Sequence, residues 1–215
     1  MPMSKGHEKT DSKSAPYHSS QPSDLVRRFA ELAPEGRALD LGVGEGRDVL
    51  YLADLGYDVT GVEQVEGKVV KCQKRADEKG YHVNVTCADV RDYRIAQRRY
   101  AIIVCVGILP FITKNEAQAL VAGITAGLKK GGLFLCQAFT IDDPSYKVHK
   151  RKSKEVASGV FVSGTGSIYT LYRYREILEL GAALRPIYYH AYDYYDTEHG
   201  TPHWHSMVDF VGKKL

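Results

Sequence analysis

Ten residues, Ala38-Leu39-Asp40-Leu41-Gly42-Val43-Gly44-Glu45-Gly46-Arg47, say more about the architecture than any other part of the chain. Ala38–Leu41 is a short apolar run with one acid, the pattern of a buried strand. Glycines then stand at alternate positions, 42, 44 and 46, and a helical spacing of apolar residues runs from Arg47 to Leu55 before Gly56 stops it. Strand, glycine turn and helix open a βαβ unit. Glycine suits that turn because the chain bends sharply there and a ligand can approach the backbone with no Cβ in the way. The turn ends on a helix N-terminus, whose unpaired N–H groups favour a negative group such as a carboxylate. A dinucleotide fingerprint would put its third glycine at position 47. Arg47 stands there instead, and the spacing is Gly-x-Gly-x-Gly.

Working outward, Asp58–Val62 reads as a second strand that delivers Glu63 about twenty residues past the glycine turn. At that spacing in Rossmann-type folds an acid meets a ribose diol. Val65–Lys79 reads as a helix stopped by Gly80. His82–Cys87 alternates at period two as a third strand, and Ala88-Asp89-Val90 follows it. Asp89 can accept from an adenine amino group while the Val90 N–H meets the ring; an ordinary Asx turn is the plain alternative. Ala101–Val106 is continuously apolar, as expected of a central parallel strand covered on both faces. The segment Val106-Gly107-Ile108-Leu109-Pro110-Phe111 then leaves its carboxyl end, where ligands of open α/β sheets bind.

Further on, Thr113-x-x-Glu116 is a capping box opening a helix with Leu120, Val121, Ile124 and Leu128 on one face. Gly131-Gly132 ends that helix, and Leu133–Ala138 is a fifth strand. Ile141–Gly166 reads as loop and carries the basic run Lys147, His149, Lys150, Arg151, Lys152 and Lys154. Arg173–Leu180 is helical. Arg185–Tyr195 and Trp204–Lys213 are long strands whose brief connection makes them antiparallel, because a parallel crossover needs a dozen or more residues. The expectation is an α/β fold: a Rossmann-like, seven-stranded, mostly parallel sheet with a C-terminal antiparallel hairpin and helices on both faces. Residues 1–20 read as a disordered tail and 21–215 as one domain.

Composition bounds the function classes. The chain has 215 residues, 44% hydrophobic and 26% charged, with a formal net charge of +3. That charge is too small to argue for a nucleic-acid partner. No apolar run is long enough to span a membrane and the N-terminus lacks a signal-peptide core, so a cytoplasmic location is expected. None of the four cysteines forms a Cys-x-x-Cys pair, so no metal and no disulfide framework is expected, and all four read as reduced.

On these residues the chain resembles the class I S-adenosylmethionine-dependent methyltransferases. The first unit, with Tyr51-Leu52-Ala53 and Gly56-Tyr57-Asp58-Val59 after the glycines, is similar to the small tellurite-resistance and thiopurine-type enzymes. The resemblance covers Asp24–Phe139 and implies S-adenosyl-L-methionine as cofactor and a seven-stranded sheet with the last strand antiparallel. It implies a cofactor site built from Asp40, Gly42, Val43, Gly44, Gly46, Arg47, Glu63, Gln64, Ala88, Asp89, Val90, Val106, Gly107 and Phe111. The partner it implies is a small-molecule acceptor with a soft or weakly acidic nucleophile, in a monomer or homodimer. The alternatives are a protein or RNA methyltransferase, to which the basic run would contribute, and a nicotinamide-dependent oxidoreductase. A His-Arg pair in the final hairpin of the tellurite-resistance enzymes is matched here only by the histidine of Glu198-His199-Gly200-Thr201.

For the acceptor side, the candidate catalytic residues are His199, His203 and Tyr17. His203 and His205 are two apart on a strand and share a face. A metal site there, a polar surface hairpin and substrate contact all remain open on spacing alone. Tyr17 and His18 would act from an N-terminal lid. The dense late tyrosines, Tyr188 to Tyr195, divide between core positions and positions facing solvent or ligand.

Overall fold

The computed structural model describes residues 21–197 and 201–215. The main sheet is built from β1 (Arg37–Leu41), β2 (Asp58–Glu63), β3 (Val83–Cys87), β4 (Tyr100–Val106), β5 (Leu128–Phe139), β9 (Arg185–Asp196) and β10 (His203–Lys213). A smaller sheet comprises β6 (Lys154–Ala157), β7 (Val160–Val162) and β8 (Ile168–Thr170). The main sheet runs in the order β3-β2-β1-β4-β5-β10-β9. β1 to β5 pair in parallel, and β10 lies antiparallel to both β5 and β9. The expected parallel sheet closed by an antiparallel hairpin is therefore present, with the chain's last strand wedged inside the sheet.

Two apolar cores cover the two faces. On one side α1 (Asp24–Phe29), α2 (Arg47–Asp54) and α3 (Glu66–Glu78) bury Leu25, Val26, Val49, Leu52, Cys72 and Ala76 against Ala38, Val59, Val104, Leu135 and Val211. On the other, α4 (Lys114–Gly127) and α6 (Tyr174–Leu180) bury Leu120, Val121, Ile124 and Ile177 against Leu39, Ile103, Phe134, Val208 and Phe210. Adjacent strand residues point to opposite faces, which is why Ala38 and Leu39 fall in different cores. A central strand covered on both sides needs no polar alternation, and β4 is buried from Tyr100 to Cys105.

Two expectations need correction. The segment 141–166 is more than loop: it holds α5 (Ser145–Lys152) and most of the small β6–β8 sheet. Cationic residues crowd α5 and none of its residues is buried, so no apolar stripe announced it; Tyr146 and His149 hold it by packing on Phe161. The fifth strand starts at Leu128 rather than Leu133, because α4 ends at Gly127, where a Cβ would come within 2.5 Å of Ile95. All four cysteines are free, with Cys72, Cys105 and Cys136 buried and Cys87 exposed. Tyr17, Glu198, His199, Gly200 and the tail 1–20 lie outside the described residues.

The capping box is formed: Thr113 accepts from the Glu116 N–H, and the Glu116 carboxylate accepts from Thr113 N at 2.7 Å. Thr113→Ala should cost about 1 kcal/mol, read as a Tm lower by roughly 2–4 °C for a chain of this size.

Candidate functional site

Parallel pairing brings the carboxyl ends of β1 to β4 to one edge, and the glycine turn is fastened there. Gly42 N and Val43 N both donate to the Val62 carbonyl, at 2.8 and 3.1 Å. Glu63, the last residue of β2 and only 6% exposed, completes the fastening. Its two carboxylate oxygens accept from Gly44 N at 2.9 Å and Val65 N at 3.0 Å. A carboxylate has about four acceptor positions, so a diol can still be bound. Gly44, at φ +58°, has nothing within 4 Å of where its Cβ would stand. The turn thus presents bare backbone to open space beside a buried acid. Ile108, leaving β4, lies over Gly42, where an added Cβ would meet its Cδ1 at 2.2 Å.

Beneath the turn the charge is strongly acidic. Asp40 and Asp48 are buried, as Glu63 is. The cation within this group is Arg47, whose Nε lies 3.8 Å from Asp48 Oδ2. Burial pushes Asp40 well above the ordinary carboxylate range, Asp48 and Glu63 push it further, and Arg47 pulls it back. Asp48 is also raised, again by burial first, against the pull of Arg47 and the 2.6 Å hydrogen bond from Ser23 N. Three carboxylates against one guanidinium make a floor suited to a cation and hostile to a pyrophosphate.

The third and fourth strand ends complete the edge. Ala88 N donates to the Glu63 carbonyl at 3.0 Å, which places Ala88-Asp89-Val90 beside the acid. Val90 is buried, whereas Gln64 is exposed. Asp89 is engaged by Arg91, whose Nε and Nη2 donate to its two oxygens at 2.6–3.0 Å; that pairing outweighs burial and lowers its pKa. Val106 is half-buried at the end of β4, and Gly107 takes φ +75°. Phe111 is 54% exposed and packs edge-on to Tyr169, 6.5 Å between centroids.

On β10, His203 and His205 do share a face, with rings 4.5 Å apart. His203 is only half-buried and its Nδ1 lies 2.7 Å from the Thr201 carbonyl. His205 is buried between two acids not anticipated from the sequence. Its Nδ1 is 2.9 Å from Asp143 Oδ2, and its Nε2 is 3.8 Å from Asp196 Oδ2. Asp143 also accepts from Ser145 N and Ser206 N; burial raises its pKa, but these hydrogen bonds outweigh that and leave it lowered. Also missed were Gln137 and Asp209, polar residues inside the apolar runs of β5 and β10. A polar side chain in such a run was the available signal. Among the described residues no group of three or more His, Cys, Asp or Glu is arranged to hold a metal ion.

Packing fixes the far end of the turn. Gly46 has φ +88°, and an added Cβ would stand 2.6 Å from Cys72 Sγ on α3. Gly46→Ala should therefore lower stability by about 1–3 kcal/mol through overpacking, measured by urea unfolding.

Comparison with known proteins bears on the fold and on the domain that carries the turn. Residues 38–132 match the family model described as a methyltransferase domain. A probable S-adenosyl-L-methionine-dependent methyltransferase, TehB of Haemophilus influenzae, is 26% identical over 136 residues, which is 63% of this chain and 47% of TehB. The chain thus spans about half the length of the curated relatives it matches. The TehB crystal structure superposes with a TM-score of 0.69 at 19% identity, covering 89% of this chain and 62% of that one. A methyltransferase from Methanosarcina mazei gives 0.71 at 17% identity, over 87% of this chain and 97% of its own. The Burkholderia thailandensis 1,6-didemethyltoxoflavin-N1-methyltransferase, solved with its substrate and S-adenosylhomocysteine, gives 0.65 at 21%, over 89% and 79%. At these identities the superpositions speak for the fold alone. Residues 38–132 accordingly match a methyltransferase domain, and the chain that carries them resembles TehB.

Proposed function

We propose that this chain transfers a methyl group from S-adenosylmethionine to a small acceptor bearing a soft or weakly acidic nucleophile. The observation that carries the reading is the acidic floor under an open glycine turn. A sulfonium nucleoside with an ammonium group carries net positive charge, and Asp40, Asp48 and Glu63 outnumber Arg47 three to one around its expected place. A nicotinamide dinucleotide would bring a pyrophosphate dianion to the same carboxylates, so the oxidoreductase alternative is disfavoured. When bound, the cofactor supplies a methyl group already activated by its sulfonium.

The protein's task is then alignment. In this reading Glu63 receives the ribose hydroxyls, and the turn from Gly42 through Val43, Gly44 and Gly46 to Arg47 receives the amino-acid tail. Asp40 faces its ammonium, while Gln64, Ala88, Asp89 and Val90 border the adenine. Asp89 reaches the base only by sharing a carboxylate already held by Arg91. Val106 and Gly107 border the methyl centre, and Phe111 extends that border outward. His203, with His199 and Tyr17 from outside the described residues, is assigned to the acceptor. The B. thailandensis enzyme, named for a small-molecule acceptor, shares the fold.

One observation favours a macromolecular acceptor as a second reading. Lys147, Lys150, Arg151, Lys152 and Lys154 crowd α5 and the start of β6, and no ion pair joins them to another described residue. Salt-sensitive binding of RNA by the purified chain would support that reading. No helix among the described residues is long and apolar enough to cross a membrane.

Gly44→Val fills the open space and Glu63→Ala orphans two backbone donors. Each should weaken S-adenosylmethionine binding at least tenfold, about 1.4 kcal/mol or more, by calorimetry. A cationic ligand lowers the raised pKa of Asp40, so binding should release protons. Calorimetry in two buffers of different ionisation enthalpy should show that release, with affinity rising as pH rises above the ordinary carboxylate range.

A further inference from the structure

A second polar row crosses the same face of the sheet and is absorbed by nothing above. Strand register sets Val106 of β4 beside Gln137 of β5, Gln137 beside Asp209 of β10, and Asp209 beside His190 of β9. Residues opposite one another on neighbouring strands share a face. This is the face of Asp40, which pairs with Val104, two residues before Val106. The row therefore starts at the border assigned to the methyl centre and leads away from the cofactor's acids.

Asp209 is the unusual member. It is 6% exposed, with apolar Met207 and Val211 on its own face of β10. One of its oxygens accepts from Gln137 Nε2 at 2.9 Å and from the Tyr192 hydroxyl at 3.3 Å. Its other oxygen takes no hydrogen bond from a described residue. Gln137 Nε2 also donates to the Tyr192 hydroxyl at 2.9 Å, which fixes the three side chains together. Burial raises Asp209 to about 6, against the pull of Gln137, Tyr192 and Arg28, with Asp24 adding a small push. An ionised carboxylate there costs folding free energy, which marks it as a functional candidate. Beside it runs a column of rings on β9: Tyr188, His190, Tyr192 and Tyr194, with His190 stacked on Tyr192 at 5.2 Å and 15°.

We propose that Asp209 is the catalytic base of the methyl transfer, and that the acceptor is a small flat aromatic carrying an O–H, S–H or ring N–H. The assignment rests on the methyl-transfer reading above. The aromatic column stacks the acceptor ring, and the carboxylate takes the acceptor's hydrogen bond. As the acceptor atom bonds to the methyl carbon, the carbon–sulfur bond breaks with its electron pair left on sulfur. The acceptor's proton passes to Asp209 and from there to solvent. Gln137 and Tyr192 are positioning residues that hold the carboxylate and keep its pKa from rising further. Among the described residues, the charged and titratable groups facing it are His190 and Tyr192 from β9 and Arg28 and Asp24 from α1, with neutral Gln137 from β5.

The experiment uses the full chain with catechol and thiophenol as probes. In wild type, at least one probe should bind the S-adenosylhomocysteine complex and be methylated, with an acid limb in kcat/KM near pH 6. Asp209→Asn should lower kcat a hundredfold or more and abolish that limb, with the S-adenosylmethionine Kd unchanged within twofold. A folded-state pKa above the unfolded value stabilises below the unfolded pKa, and that contribution is lost as pH rises through the folded one. Asp209→Asn should therefore raise Tm at pH 7.5 relative to wild type and lose that advantage by pH 4, with no ligand present. Tyr192→Phe should move the acid limb upward and reduce kcat less than Asp209→Asn does. Wild-type turnover in Asp209→Asn overturns the assignment. So does a lower Tm at pH 7.5, which would make the acid structural, or cofactor binding with neither probe bound or methylated. Failure of the wild type to bind S-adenosylmethionine would overturn the methyl-transfer reading, and this assignment with it.

Discussion

The Glu63 carboxylate is the point through which the rest of the site is tied together. It is fixed by β2 behind it, and it holds the glycine turn through Gly44 N and the start of α3 through Val65 N. Two hydrogen bonds to one charged group, largely out of water, are each stronger than neutral ones. They set the height of the turn above the sheet edge, and with it the position of α2 and its buried Asp48. The arrangement concentrates negative charge where neighbouring carboxylates repel one another. Burial raises Asp40 and Asp48, and repulsion from Asp48 and Glu63 adds to the rise at Asp40. The fold tolerates this because Arg47 and Ser23 N relieve part of it, and a cationic ligand would relieve more.

The parts legible in the sequence are those with local causes. Gly42, Gly44 and Gly46 announce a tight turn, Thr113 and Glu116 announce a helix start, and continuous apolar runs announce β4 and the core of β5. Glu63 follows from its spacing after the turn. The small β6–β8 sheet was not legible, because Lys154–Ala157 is exposed throughout and its partner strands are three residues each. A strand that short is defined by its neighbours more than by its own pattern.

The acceptor side was less legible for a related reason. His205 belongs with Asp143, 62 positions away, and Gln137 with Asp209, 72 positions away. Both pairings depend on β10 running between β5 and β9, and on a register that local periodicity does not state. Spacing did place His203 and His205 on one face. It did not show that His205 is enclosed by two acids, nor that an aspartate in the run from Met207 to Val211 would be the side chain of most chemical interest there.

The wedged position of β10 also bears on how the molecule is assembled. Among the described residues β9 pairs with no strand except β10. It leaves the ribosome first, yet it has no place in the sheet until its successor has been made and slotted against β5. During synthesis a twelve-residue strand rich in tyrosine therefore waits with both edges open, a state prone to mispairing. Half of the Asp209 row is missing until the final strand arrives. The β1–β4 end, which the proposed reading gives to the cofactor, can form while the end proposed for the acceptor is still unmade.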